Sequence, residues 1–188
     1  MKTCCVLVKD LPEEIVKVTD CFKTSFSFIE ESKIKWIERK DAETDTEYKQ
    51  IIPYVIIQKA DGKIACYERH GSEKRLAGLY SCGFGGHIEE NDIGNNFTET
   101  LQNGMLRELK EEIANFEKES IELEYLGIIN EVESNVGLVH LGCVFLAKCK
   151  ENFIPEESDE TKGLEWKTFS ELKNLLTELW TKLALKLI

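Results

Sequence analysis

Hydrophobic and polar positions along the 188 residues follow two rhythms, and each rhythm predicts a different element. Ile51 to Gln58 and Lys63 to Glu68 are rich in β-formers and flank Lys59-Ala60-Asp61-Gly62, whose Asp-Gly step predicts a hairpin. Tyr80 to Ile88 is a third strand-like run, broken by Gly83, Gly85 and Gly86, residues that permit a sharp bend or a close approach of backbone to a ligand. In Thr98 to Phe116 the period lengthens. Leu106, Leu109, Ile113 and Phe116 recur at three- and four-residue steps, which predicts a helix with Thr98 as its cap. Ile121 to Val132 and Leu138 to Cys149 read as two long strands joined through residues 133–137, Leu164 to Trp166 as a short strand, and Ser170 to Leu187 as a closing amphipathic helix with a serine cap. Before Gln50 the pattern is weaker: a strand over Cys4 to Val8, a short helix over Glu13 to Cys21 after Pro12, and an ambiguous stretch from Ser25 to Lys35. Strands and helices alternate along one chain, which favours a mixed sheet covered by helices.

Length and the absence of repeats or Pro-, Gly- or Ser-rich linkers suggest one domain over residues 1–188, with 1–49 as an N-terminal extension. Twenty-four lysines and arginines against 35 aspartates and glutamates leave a net charge of −11, which argues against duplex nucleic acid as a partner. Met1 to Val8 is too short for a signal-peptide core or a membrane span. Seven cysteines without a C-x-x-C pair suit reduced, buried thiols. A cytoplasmic protein with no membrane partner is the expectation.

Candidate chemistry concentrates on the predicted central helix. Glu108, Glu111 and Glu112 stand at i, i+3 and i+4, and at about 100° per residue the three carboxylates share one face. Like charges so placed repel unless water or a cation separates them, and Mg²⁺ prefers oxygen donors of this kind while keeping sites for substrate phosphates. The hexapeptide alone also fits a solvated helix face, since its residues are good helix formers. What changes the picture is its setting: Glu99 eight positions before Arg107, and a Gly85-Gly86 pair before that at a strand end.

With that spacing the sequence resembles the Nudix hydrolase family, whose signature is G-x5-E-x7-R-E-U-x-E-E-x-G-U, where U is apolar. Glu99, seven intervening residues and Arg107-Glu108-Leu109-Lys110-Glu111-Glu112 match its second half letter for letter. Gly86 stands for the first glycine, but twelve residues, His87 to Thr98, separate it from Glu99 where the pattern has five. Ala114 replaces the last glycine and Asn115 the last apolar residue, so the helix is expected either to end one position later on Asn115 or to run on toward Phe116.

The resemblance implies an α/β/α sandwich with a mixed β-sheet and Mg²⁺-dependent (or Mn²⁺-dependent) hydrolysis of a diphosphate linkage in a nucleoside diphosphate derivative or related organic diphosphate. It implies that Glu108, Glu111 and Glu112 bind the metal with the Gly86 carbonyl, and that Arg107 and Glu99 orient the glutamates. A further acidic residue outside the box often serves as base or extra ligand in the family; Glu131, Glu133 and Glu160 are the candidates. For substrate phosphates the basic cluster Arg69, His70, Lys74 and Arg75 stands out, and His87 follows Gly86 directly, whereas His140 on an apolar strand reads as structural.

Three other readings compete. A non-catalytic Nudix-like module would bind a nucleotide or partner without turning it over, although the intact glutamate set argues against this. Zinc could be held by Cys66-x3-His70, Cys82-x4-His87 or His140-x2-Cys143, none of which has knuckle spacing. Isopentenyl diphosphate isomerase shares the fold, but no cysteine here is singled out for its chemistry. Phe26, Phe28, Trp36 and Ile37 in the extension offer either a homodimer surface or a pocket lid.

Overall fold

The computed structural model describes residues 1–25, 29–69, 78–151 and 153–188. In chain order its strands are β1 (Lys2–Leu7), β2 (Cys21–Phe22), β3 (Ile34–Glu38), β4 (Tyr48–Gln58), β5 (Ile64–Glu68), β6 (Tyr80–Ser81), β7 (Gly83–Phe84), β8 (Ile121–Ile129), β9 (His140–Cys149) and β10 (Glu165–Lys167). The helices are α1 (Glu13–Lys17), α2 (Arg39–Ala42), α3 (Phe97–Glu112), α4 (Asn135–Val139), α5 (Phe169–Asn174) and α6 (Leu179–Leu185).

The main sheet runs β10-β5-β4-β9-β8-β2 and is mixed: β4 and β9 are parallel over Gln50–Gln58, and the other pairs are antiparallel. Alternation along the two central strands sorts their side chains onto two faces. Ile51, Val55 and Ile57 of β4, with Leu141, Cys143 and Phe145 of β9, pack under Leu101, Met105 and Leu109 of α3. Tyr54, Ile56, Val144 and Leu146 pack on the opposite face against Leu172 of α5 and Leu183 and Ala184 of α6. Helices on both sides of a mixed sheet make this the expected α/β sandwich. The cysteines are free, and six of the seven are buried; burial pushes the Cys143 thiol up to about 12.

Strands from the first fifty residues join the same sheet. β1 pairs antiparallel with both β3 and β4, and the Cys4 amide donates to the Ile88 carbonyl at 3.0 Å. Trp36 and Ile37 lie half-buried in β3, while Phe26 and Phe28 fall outside the described residues.

Several predicted elements shift. The Asn96 side chain caps α3 in place of Thr98, accepting from the Glu99 amide at 3.0 Å. At the other end neither expected exit occurs. Among the described residues no non-glycine residue has positive φ, and α3 stops at Glu112 because the chain beyond it pairs edge-on with another segment. The Ala114 amide donates to the Glu156 carbonyl at 3.1 Å, and the Asn115 side chain bridges the Ile154 carbonyl (2.9 Å) and the Glu156 amide (3.0 Å). The loop expected at 133–137 contains α4, capped by Ser134. The closing helix is split: a Thr168–Glu171 capping box starts α5, and residues 176–178 leave helical geometry to bond the backbone of Tyr80 on both sides (2.9 and 3.0 Å).

Candidate active site

The large apolar side chains on the buried face of α3 are Phe97, Leu101, Met105 and Leu109, whereas Leu106 is only partly covered. Glu112 follows Leu109 by three residues and so continues this row into the interior, where it is 6% exposed. The three glutamates therefore do not share one environment. Glu111 faces solvent, Glu108 is partly buried and Glu112 is buried.

Glu112 finds its partner in the glycine turn that follows β7. The Gly85 amide donates to Glu112 Oε2 at 2.5 Å. Gly85 itself sits at φ +136°, and a Cβ there would lie 2.1 Å from the Pro53 carbonyl oxygen, so only glycine brings the backbone this close. A Cβ on Gly86 would stand 2.6 Å from Glu108 Oε2. Two carboxylates thus converge on the Gly85–Gly86 backbone. Burial pushes Glu112 up to about 8, with the Glu108 charge adding to the rise and the Gly85 N–H opposing it. Burial likewise raises Glu108, against the pull of Arg107.

Arg107 organises the turn. Its Nε and Nη2 bond the two oxygens of Asp92 at 3.1 Å each, Nη2 also donates to the His87 carbonyl at 2.7 Å, and Nη1 reaches Glu108 at 2.8 Å and Glu111 at 3.3 Å. Burial works against the Arg107 charge, but the pairing with Asp92 and Glu108 more than offsets it. The described structure pairs Arg107 with Asp92, not with the expected Glu99. Glu99 accepts from the amide and side chain of Asn95 at 2.7 Å each, and Arg107 is not among its hydrogen-bond or ion-pair partners in the described structure.

The cause is the longer loop between Gly86 and α3. It turns through residues 90–92 with a capping box between Glu89 and Asp92, and it delivers a 4%-exposed Asp92 to the arginine. Gly104 leaves room for this, since a Cβ there would stand 3.1 Å from Asp92 Oδ2.

A cleft of about 510 Å³ opens beside the glycine turn. Arg69 and His87 line it, as do Arg39 and Glu43 from the N-terminal extension, His140, and the aromatic pair Tyr54 and Trp180. The Tyr54 and Trp180 rings meet edge-on with centroids 5.7 Å apart. Arg75, with His70 and Lys74, lies outside the described residues. Glu131 is occupied by the α4 loop: its oxygens accept from the amides of Glu133 (2.8 Å) and Ser134 (3.0 Å) and from the Ser134 hydroxyl. Glu133 is exposed, and so is Glu160, whose charge bears on both Glu108 and Glu112.

His140 departs from a purely structural reading. It is 5% exposed, and Nδ1 lies 2.8 Å from the Val136 carbonyl, yet its Nε2 faces His87 Nε2 at 3.2 Å on the cleft wall. Neither Cys82-x4-His87 nor His140-x2-Cys143 forms a metal-sized cluster among the described residues, and His70 of the third spacing lies outside them; the group that does is Glu43, His87 and His140. Asp92, Arg39, Glu43 and Trp180 were beyond the reach of motif spacing. The acidic run Glu89-Glu90-Asn91-Asp92 was the one available hint.

The NUDIX domain family matches residues 49–186. This chain belongs to the Nudix family. The Nudix chain is 37% identical over 147 residues to Protein YmaB of Bacillus subtilis (strain 168), covering 76% of this chain and 70% of that one. Its structure superposes on Tm1382, assigned to the Nudix hydrolases, with a TM-score of 0.79 and 30% identity over 99% of this chain and 97% of that one. A bifunctional NMN adenylyltransferase/ADP ribose pyrophosphatase from Francisella tularensis, crystallised with AMP and a Mn ion, shares the fold at a TM-score of 0.55 and 16% identity, covering 73% of this chain and 40% of that one. The chain is thus a Nudix pyrophosphohydrolase by family.

Proposed function

We propose that this Nudix hydrolase uses Mg²⁺ or Mn²⁺ to cleave the diphosphate linkage of a nucleoside diphosphate derivative. The observation that carries this reading is the convergence of Glu112 and Glu108 on the Gly85–Gly86 backbone. A buried carboxylate raised to about 8, beside a second one, is a donor set that a hard cation would satisfy. Glu108, Glu111, Glu112 and the Gly86 carbonyl would hold the ion, which when bound supplies charge neutralisation at the diphosphate and a more acidic water. Arg107 fixes the His87 carbonyl, Glu108 and Asp92 relative to one another, so that the turn and the helix keep one geometry.

Glu160 is the choice for a residue taking a proton from the attacking water, because its charge reaches Glu108 and Glu112 while Glu131 is tied to its own loop. Arg69 and Arg39, with Arg75, which lies outside the described residues, would face the phosphates. The Tyr54–Trp180 pair in the cleft lining would suit a planar base. The whole chain acts as one unit in the cytoplasm; among the described residues no helix is long and apolar enough to cross a membrane.

The test is a panel of ADP-ribose, nucleotide sugars, dinucleoside polyphosphates, NADH and nucleoside triphosphates with Mg²⁺ or Mn²⁺, comparing wild type with the double variant Glu111→Gln, Glu112→Gln. A folded double variant is expected to lose at least about 100-fold in turnover. Unchanged turnover would defeat the assignment. A nucleotide that raised thermal stability without being cleaved would move the reading to a binding module.

A further inference from the structure

We propose that Glu43, His87 and His140 form a second metal site on the cleft wall, selective for Zn²⁺ or a similarly borderline divalent ion rather than Mg²⁺. The ligand atoms of the three side chains all lie within 4.8 Å of one another. His87 Nε2 is 3.2 Å from His140 Nε2 and 3.7 Å from Glu43 Oε1. Two ligands on a tetrahedral zinc, each bonded at about 2.0–2.1 Å, stand roughly 3.3–3.4 Å apart, so the imidazole pair is already spaced as one edge of such a site.

The proton arrangement fits as well. His140 Nδ1 lies 2.8 Å from the Val136 carbonyl and donates to it, which leaves the lone pair on Nε2, the nitrogen that faces His87. An imidazole held by a backbone acceptor at one nitrogen and aimed into a cleft with the other is the arrangement metal-binding histidines use. The backbone of His87 is held in turn, because its carbonyl accepts from Arg107 at 2.7 Å. The rings meet nearly edge-on, at 68° with centroids 5.3 Å apart, so neither stacks over the other's nitrogen.

Burial gives the site a closed side and an open one. His140 is buried, the His87 side chain is 14% exposed and the Glu43 side chain 39% exposed. All three line the cleft, so a fourth ligand, a water or a phosphate oxygen, would come from its interior. Two imidazoles with one carboxylate favour zinc and its neighbours, whereas Mg²⁺ seeks oxygen donors, so the two ends of the glycine turn would sort ions by chemistry. Three cations oppose binding. Arg39 Nε pairs with Glu43 Oε1 at 3.4 Å, Lys49, which donates to the Gly137 carbonyl, places its charge near His140, and Arg107 places its charge near His87.

The experiment titrates the full, metal-stripped chain with Zn²⁺ by calorimetry, with metal analysis after dialysis, and repeats the titration with Co²⁺ to read the visible band of a four-coordinate ion. Wild type and the Glu111→Gln, Glu112→Gln variant are both expected to take up Zn²⁺ and show the cobalt band. His87→Gln is expected to lose at least about 100-fold in Zn²⁺ affinity, more than an outer-shell change costs, together with the cobalt band. Glu43→Gln changes an exposed position and serves as the variant least able to disturb folding. It is expected to weaken Zn²⁺ at least about tenfold at an unchanged metal-free melting temperature. Equal Zn²⁺ affinity in wild type, His87→Gln and Glu43→Gln would overturn the proposal, and so would Zn²⁺ uptake lost in the α3 variant alone. Because the readout is binding, failure here leaves the hydrolase reading standing, and failure of the substrate panel leaves this site standing.

Discussion

The two ends of α3 both depart from the Nudix signature, and the chain repairs them by different physics. At the N-terminal end a longer loop buries Asp92 at 4% exposure and presents both its oxygens to Arg107, so an ion pair with fork geometry replaces the expected partner. At the C-terminal end, where the signature has glycine, the backbone leaves Glu112 extended and is caught by hydrogen bonds from residues 154–156. The first repair is electrostatic and acts on the site itself. The second is backbone pairing at the surface and acts on stability. A motif position can therefore be lost without its physical duty being lost, provided another residue occupies the same space.

This contrast is sharpest at Asp92. Asp92→Ala would strand a largely covered guanidinium, and breaking such a pair from one side costs about 3 kcal/mol at the lower end of buried cases, since the Arg107 side chain keeps 26% exposure. Urea unfolding should show that loss, with turnover falling about 10- to 100-fold as Arg107 ceases to hold the His87 carbonyl. A variant as stable as wild type would mean that the arginine finds a substitute partner. At the opposite end, Asn115→Ala removes two bonds to backbone and should cost about 1 kcal/mol by the same unfolding assay, with kcat and KM unmoved. A drop in kcat there would erase the distinction between the ends. Smallest of all, Glu99→Gln is expected to leave turnover and the metal dependence of activity as in wild type, because its bonds go to Asn95. Loss of activity in that variant would return the arginine-orienting role to Glu99.

The sequence made the hairpin at Asp61-Gly62, the two central strands and the box helix legible, since each rests on local periodicity or turn chemistry. It also made Glu108, Glu111 and Glu112 legible as a set. Their unequal burial was not, because it depends on Glu112 continuing the Leu101–Met105–Leu109 stripe rather than on the spacing of the carboxylates. The break between α5 and α6 was hidden for a related reason: residues 176–178 are drawn out of the helix by Tyr80, nearly a hundred positions earlier. Asp92 sat among Glu89 and Glu90, and composition alone offers no means of choosing between them. Arg39 and Glu43 carried no signal at all, since nothing before Gln50 resembles the signature.

That last point bears on how such proteins diversify. The stretch matched by the family, 49–186, holds the three box glutamates, but one wall of the cleft is furnished by Arg39 and Glu43, which follow β3 where it pairs with β1. Drift in that borrowed segment can exchange the groups that greet an incoming ligand while the glutamates of the box stay untouched, so kinship measured over the shared core says little about diet.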